Sequence, residues 1–326
     1  MGYLGVSRSA ICYVCDLGFL VPTLISIESA RRFVPSSVPI YLVTIFPDDD
    51  HIKALEPLLS RLSVTVIPFD RERIESVADV WAESHVPTAA LGRFFLPELL
   101  PDSVKRILYV DGDTMFVRDP SPLLDQPLPA GKIGMVEDAL SFYRHDQSAN
   151  GADARAYMQG IGLSPDARYA NSGVFVVERD DWKVIATEAL AYLSEHSKAC
   201  LYHDQSALNA VLGDRSFPLS PIWNYQSRFV QWRAKPIAKP AILHFTGAAK
   251  PWMGEVRPWK KVSHRVRSIL ASLPTKGLPL RSMSDHEVAA HNSQYEGPVR
   301  LVRKFLDTRQ LRRVRSLRRY HRSAVL

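Results

Sequence analysis

Lys105-Arg106-Ile107-Leu108-Tyr109-Val110-Asp111-Gly112-Asp113-Thr114-Met115-Phe116-Val117 decides how the rest of the chain is read. Four apolar residues run straight into two carboxylates one residue apart. The run is short, bulky and without helical period, so it reads as a strand buried on both faces. The aspartates emerge at its C-terminal end, the edge where open α/β sheets bind ligands. Two hard oxygen donors there suit Mg²⁺ or Mn²⁺ held against a diphosphate. Asp-Gly between apolar runs is equally a hairpin-turn signal, because glycine adopts positive φ at no steric cost. The flanking sequence decides between the two.

Upstream, strands and helices alternate. Residues 11–15 read as a first strand, with Pro22 placed for a helix's first turn and Leu24, Ile27, Ala30 and Val34 at helical spacing behind it. A second strand over 40–46 is followed by Asp48-Asp49-Asp50, acidic as helix N-termini prefer, and by Ile52, Leu55, Leu59 and Leu62. A third strand covers 64–69. This alternation predicts a mostly parallel sheet of the nucleotide-binding kind. The first strand runs into Cys15-Asp16-Leu17-Gly18-Phe19, without the G-x-G-x-x-G loop of dinucleotide-binding folds, and no G-x-x-x-x-G-K-S/T loop occurs. Carboxylate-held metal is the substitute for a glycine cradle. Helices are expected over 74–84 and 88–100, the second carrying Arg93 either as a surface residue or as a cation at the ligand edge.

Downstream, 133–136 forms a short strand ending at Glu137-Asp138. Residues 139–169 lose all periodicity, as a functional lid or a partly disordered stretch would. Tyr169-Ala170-Asn171-Ser172-Gly173 leads into a buried strand over 174–177, a helix spans 182–193, and Tyr202-His203-Asp204-Gln205 opens another, with Asp204 as its cap or as a ligand. A last core strand over 241–245 delivers His244, followed by Gly247, Lys250 and Trp252.

The chain has 326 residues, 46% of them apolar, enough for one large domain or two. Cys12, Cys15 and Cys200 are too few for a disulfide framework and fit a reducing compartment. Cys12 and Cys15 lie three apart on a strand and so face opposite sides, as buried hydrophobes rather than a metal clip. The first residues lack the build of a signal peptide or a myristoylation site, and no run approaches the roughly 18 apolar residues of a membrane span.

The segments LYVDGDTMFVRDPSPLL, YANSGVFVVERDDW, HDQSALN and ILHFTGAAKPW, in this order, resemble the signature segments of glycosyltransferase family 8. The resemblance covers about three quarters of the chain, to Trp252. It implies a GT-A fold, Rossmann-like with a mixed, mostly parallel sheet, and a retaining hexosyl transfer from a UDP-sugar. Mn²⁺ is the implied metal, with Mg²⁺ as the alternative, and Asp111, Asp113 and His244 its ligands. Imidazole beside two carboxylates suits Mn²⁺ better than Mg²⁺. The metal acts as a Lewis acid on the departing UDP. The resemblance places Asp16 on the nucleotide, Gly112 within the metal turn, Gly247 and Lys250 at the diphosphate, and Arg93, Asn171 and Asp204 on the donor sugar. It places Gln205 beside the anomeric carbon and Asp138 on the acceptor side; no carboxylate is an obvious covalent nucleophile, so front-face displacement is the working expectation over a covalent intermediate. Gly18 stands where the family often has a polar residue, commonly Asn, which leaves the base preference open. The lipopolysaccharide and lipooligosaccharide transferases of the family make a lipid-linked oligosaccharide the expected acceptor. The alternatives are a soluble glycan, protein or polyol, or a non-catalytic nucleotide-sugar scaffold.

From Val299 onward stand ten Lys/Arg and one acid, whereas the preceding 298 residues carry 31 bases and 33 acids. The formal charge of +7 therefore belongs to a tail. On a helix, Val299, Val302, Leu306, Val314, Leu317 and Tyr320 share a face, with Arg313 intruding and Leu311 straying. The expectation is a catalytic domain over 1–260, a helical extension over 261–298 and a basic amphipathic tail over 299–326. The tail would lie on an anionic membrane surface, at the cytoplasmic face, with no nucleic-acid partner.

Overall fold

The computed structural model describes residues 8–46, 49–70, 72–74, 88–144, 146–164, 166–232, 238–304 and 308–325. The first part of the chain alternates as its periodicity requires: β1 (Ser9–Cys15), α1 (Leu17–Arg31), β2 (Ile40–Thr44), α2 (Asp49–Arg61) and β3 (Val64–Pro68). β1 pairs in parallel with β2 and with β4 (Arg106–Val110), and β2 in parallel with β3. Past β4 the direction reverses. β4 pairs antiparallel with β7 (Ala170–Glu178), β7 antiparallel with β6 (Ile133–Glu137), and β6 in parallel with β8 (Ser216–Pro218). The result is a mixed, mostly parallel sheet in the order β3-β2-β1-β4-β7-β6-β8.

Both faces of this sheet are covered. Ile11, Tyr13, Cys15, Leu108 and Val110 enter one hydrophobic core, while Ala10, Cys12, Val14, Ile107 and Tyr109 enter the other. Strict alternation of side chains sends neighbours to opposite sides, which is why near-continuous apolar strands are needed here. Cys12 and Cys15 are buried free thiols on opposite faces, as expected, and burial raises both above the ordinary thiol range.

Beyond Val110 the chain turns through Asp111-Gly112-Asp113 into β5 (Thr114–Phe116), which belongs to a second sheet, β5-β10-β9. There β10 (Ile242–His244) pairs antiparallel with β5 and in parallel with β9 (Tyr225–Gln226). The aspartates thus occupy a turn, but one passing between two sheets, not closing a hairpin. The register sets His244 opposite Thr114, and Phe245 N donates to Asp113 O at 2.9 Å. Residues far apart in sequence meet at this junction.

Several elements differ from the sequence expectation. Pro22 lies inside α1, not in its first turn, because Asp16 caps the helix, its Oδ1 accepting from Phe19 N at 2.8 Å. The described residues of the stretch over 139–169 hold α3 (Ala139–Tyr143) and α4 (Ala149–Gly160), capped by Asp138 and Ser148. Small and polar residues hide α4's period, since only Gly151, Ala154 and Met158 of it are buried. The expected helix over 74–84 falls outside the described residues except for Ile74. The helical run over 88–99 is interrupted by a 3-10 turn, Gly92–Phe95. Further on come α5 (Arg179–His196), α6 (His203–Leu212), α7 (Lys260–Ala271), α8 (Asp285–Lys304) and α9 (Thr308–Ser323).

The tail departs most. Over α9 the apolar stripe expected to enter a membrane interface is buried on the protein's own body. Leu317 and Tyr320 are buried, and Tyr320 Oη donates to Leu219 O at 2.5 Å and accepts from Glu137 N at 3.1 Å. Arg313, the apparent intruder on the apolar face, is an anchor. Its guanidinium pairs with the buried Asp146 and lies 4.2 Å from the Tyr143 ring centroid. Ser220 and His321 Nδ1 hydrogen-bond at 2.6 Å. Arg309, Arg312, Arg315, Arg318, Arg319 and Arg322 face outward, with Leu311. Leu306 and the side chains of Val299 and Val302 lie outside the described residues. No helix among the described residues is long and apolar enough to cross a membrane.

Candidate active site

A cleft of about 930 Å³ opens where the two sheets meet, and the carboxyl ends of β4 and β10, with the amino end of the antiparallel β7, supply its floor. Asp111, Asp113 and His244 offer ligand atoms that all lie within 4.8 Å of one another. His244 Nε2 is 3.2 Å from Asp113 Oδ1 and 3.9 Å from Asp111 Oδ2. Two further observations fit this trio to a divalent cation.

The first is the state of the imidazole. Asp138 Oδ2 accepts from Asn171 Nδ2 at 2.9 Å, and a carboxylate can only accept. The Asn171 oxygen therefore points the other way, where it accepts from Asn224 Nδ2 at 2.7 Å and Gly173 N at 3.1 Å. That turns Asn224 Oδ1 toward His244 Nδ1, 2.9 Å away. Nδ1 must carry the proton, so Nε2 presents its lone pair to the side of the carboxylates. A metal-ligating histidine is oriented in this way. The second is Gly173. A Cβ there would stand 2.3 Å from His244 Cε1 and 2.6 Å from Asp111 Oδ2, so glycine keeps the space open.

Buried charges surround the trio in pairs, as buried charges must be. Lys250 Nζ donates to Asp113 Oδ2 and to Phe245 O, each at 2.6 Å. Burial works against the Asp113 carboxylate, but the Lys250 ammonium beside it holds its pKa well below the usual range. Arg93 is no surface residue. It donates to Ser172 O at 2.8 Å and Asp111 Oδ1 at 3.1 Å, stands 3.4 Å from Asp204 Oδ2, and lies 4.5 Å from the Tyr109 ring centroid. Tyr109 Oη donates to Asp111 Oδ1 at 2.7 Å. Burial opposes the Arg93 cation, but Asp111 and Asp204 more than restore it. Asp204 is not the helix cap, since Tyr202 occupies that position. Its pKa is raised by burial, with Arg93 opposing.

Arg93, Asp111, Asp113, Asp138, Asn171, Asp204, Gln205, His244 and Gly247 all line the one cleft. Gln205 is held there by Asn171 Nδ2 and Ser172 N, which donate to its Oε1 at 3.0 and 3.1 Å. Three expected residues stand apart. Asp16 caps α1. Lys250 sits behind Asp113. Gly112 is needed for close approach, because a Cβ there would meet Thr23 Oγ1 at 2.2 Å. Sequence reasoning missed Asn224 and the role of Gly173. A buried Asn inside the aromatic run Trp223–Tyr225 was the available signal for the first.

The twisted mixed sheet, with a carboxylate pair and an imidazole at its junction with a smaller sheet, has the build of a GT-A glycosyltransferase. The glycosyl transferase family 8 profile matches residues 10–255. The chain belongs to that family and is a glycosyltransferase. It is 27% identical over 254 residues to general stress protein A of Bacillus subtilis, across 72% of this chain and 82% of that one. It is 25% identical over 258 residues to the lipopolysaccharide glucosyltransferase WaaO of Escherichia coli, across 74% and 72%. Among solved structures, the galactosyltransferase LgtC in complex with donor and acceptor sugar analogues aligns with a TM-score of 0.68 at 19% identity, over 82% of this chain and 96% of that one. GT-A glycosyltransferases use a nucleotide sugar and a divalent metal, and Asp111, Asp113 and His244 could hold one here.

Proposed function

We propose that this glycosyltransferase moves a hexose, galactose or glucose, from a UDP-sugar to a lipid-linked oligosaccharide, with retention of configuration. The preset histidine tautomer carries the donor half of the reading. A chain of amides ending on Asp138 fixes the His244 lone pair toward Asp111 and Asp113, a chemistry for Mn²⁺ rather than for a structural ion pair. Bound there, the metal supplies Lewis-acid stabilisation of the leaving diphosphate. Lys250 and the Gly247 backbone contribute positive charge and close approach beside it, and Asp16 stands on the nucleotide side. Arg93, Asn171 and Asp204 orient the donor sugar.

Gln205 lies beside the anomeric carbon and Asp138 takes the acceptor hydroxyl. Asp204 is tied to Arg93 and to Ser172 Oγ, at 3.3 Å, so it is a poor free nucleophile. That favours front-face displacement over a covalent intermediate. The similarity to WaaO supports a lipopolysaccharide-type acceptor. The reading has a catalytic domain over 1–260, an extension over 261–298 and a tail over 299–326. The outward arginine face of α9 supports contact with an anionic leaflet at the cytoplasmic side. It would act by surface charge, about 1 kcal/mol per base, rather than by insertion.

The test is UDP release from a panel of UDP-sugars, with and without Mn²⁺, with a lipid-linked acceptor present. Release from one sugar, dependent on Mn²⁺ and abolished by His244→Ala, is expected. Mn²⁺-independent release, or full activity in His244→Ala, would overturn the metal assignment.

A further inference from the structure

Glu137 and Asp138 are consecutive but face different spaces. Asp138 lines the active cleft, whereas Glu137 lines a separate cavity of about 180 Å³ between the end of β6 and α9. Three arginines from three separate segments line that cavity: Arg144 after α3, Arg168 before β7, and Arg319 on the rim formed by α9. Against them stands one carboxylate, Glu137, buried and paired with Arg168 Nε at 3.3 Å. Arg144 is held in place by donating to Ala167 O. Among the described residues Arg319 has no hydrogen-bond or ion-pair partner, and neither has the Ser316 hydroxyl, which also lines the cavity.

We propose that this cavity binds the phosphoryl group of a phosphate ester. A guanidinium offers a planar fork matched to phosphate oxygens, and the arginines leave a formal excess of two positive charges over Glu137. The volume admits one phosphoryl group with a short carbon stub and excludes a nucleotide sugar. Glu137 acts as the internal strut that holds Arg168 toward the cavity. The third fork, Arg319, arrives only because α9 docks, so the site exists when the tail is in place. A phosphate bridging Arg319 to Arg144 and Arg168 would fasten α9 to the end of β6, one peptide bond from Asp138. The ester could be the headgroup of an anionic membrane lipid or a soluble phosphate ester.

The full chain is titrated with inorganic phosphate by calorimetry. Binding is expected to weaken about tenfold or more in Arg319→Ser and in Arg168→Ser, as loss of a charge-assisted hydrogen bond requires. It should persist in Arg315→Ser, which changes an exposed α9 charge outside the cavity, and in Lys250→Ser, which changes the cleft. Melting curves establish that each variant folds. Absence of phosphate binding by the wild type, equal weakening in Arg315→Ser, or loss only in Lys250→Ser would each overturn the site. Sedimentation with vesicles of equal parts phosphatidylcholine and phosphatidylglycerol then identifies the source. Vesicle binding that needs Arg319 and is competed by inorganic phosphate assigns a lipid headgroup. Vesicle binding indifferent to both, with glycerol 3-phosphate binding dependent on Arg319, assigns a soluble ester.

Discussion

Replacing Asn224 by Leu tests whether the histidine is set by the amide chain. Asn224 is fully buried and hydrogen-bonds the trio only through His244 Nδ1, the ring nitrogen turned away from the carboxylates. Leu keeps the branching of the side chain with bulkier ends, a change the control below shares, and it can neither accept from Nδ1 nor donate to Asn171. Asn171 Oδ1 keeps its bond from Gly173 N, so only the His244 Nδ1–H loses its partner outright. One orphaned buried donor costs about 1–3 kcal/mol. The imidazole then loses its reason to keep the proton on Nδ1, and removal of such a partner typically weakens metal binding about 10- to 100-fold. Mn²⁺ titration in the presence of UDP reads the affinity, and a melting curve reads stability. Asn209→Leu is the control. Asn209 is an equally buried amide bonded to Ala170 and the Gln205 backbone, outside the chain to His244. The expectation is a stability loss in both and an Mn²⁺ loss in Asn224→Leu alone. Mn²⁺ affinity within about twofold of wild type, or an equal loss in the control, refutes the argument.

Gly173→Ala places a methyl 2.3 Å from His244 Cε1, so Mn²⁺ binding should fall by an order of magnitude or more while circular dichroism stays native; unchanged Mn²⁺ affinity would show that the ring has room to move. The Asp113 carboxyl is held below its ordinary value by Lys250, so its contribution to stability is full above about pH 4 and fades as pH falls toward the folded value. Lys250→Met should therefore be less stable at neutral pH and flatten the acid limb of a melting temperature against pH curve. Arg313→Met leaves Asp146 buried without its cation, a loss of about 3 kcal/mol for a broken buried pair. Hydrogen exchange should then show α9 opening first, ahead of the central sheet.

Much of the fold was legible because strands buried on both faces need unbroken apolar runs, and residues 107–110 and 174–177 have them. The cleft residues were legible because chemistry constrains residue type at strand ends. What stayed hidden has physical causes. α4 is assembled from Ala, Gly and polar residues and buries only a thin stripe, so no helical period shows. Gly112 looked like a turn residue, yet it lacks positive φ; a neighbouring threonine, unseen in one dimension, excludes the Cβ. The tail looked like a membrane helix because an apolar stripe opposite arginines is the same pattern whether the stripe meets lipid or protein. Arg313 held the clue. A charge in the middle of an apolar face is costly in lipid and sensible beside a buried carboxylate.

The same reasoning ties the Asp111, Asp113 and His244 trio to Asp138 and Gln205 across the cleft. Asn171 spans the gap, giving its two N–H bonds to Asp138 and Gln205 and taking two bonds from Asn224 and Gly173 on its oxygen. An amide so placed cannot flip without breaking all four at once. The only acceptor-only group in the chain is the Asp138 carboxylate, at the end remote from the imidazole. Together with Gly173 N, which can only donate, it sets the direction of the amides between, and through them which nitrogen of His244 carries the proton. A carboxylate across the cleft thus bears on the orientation of His244 without touching it.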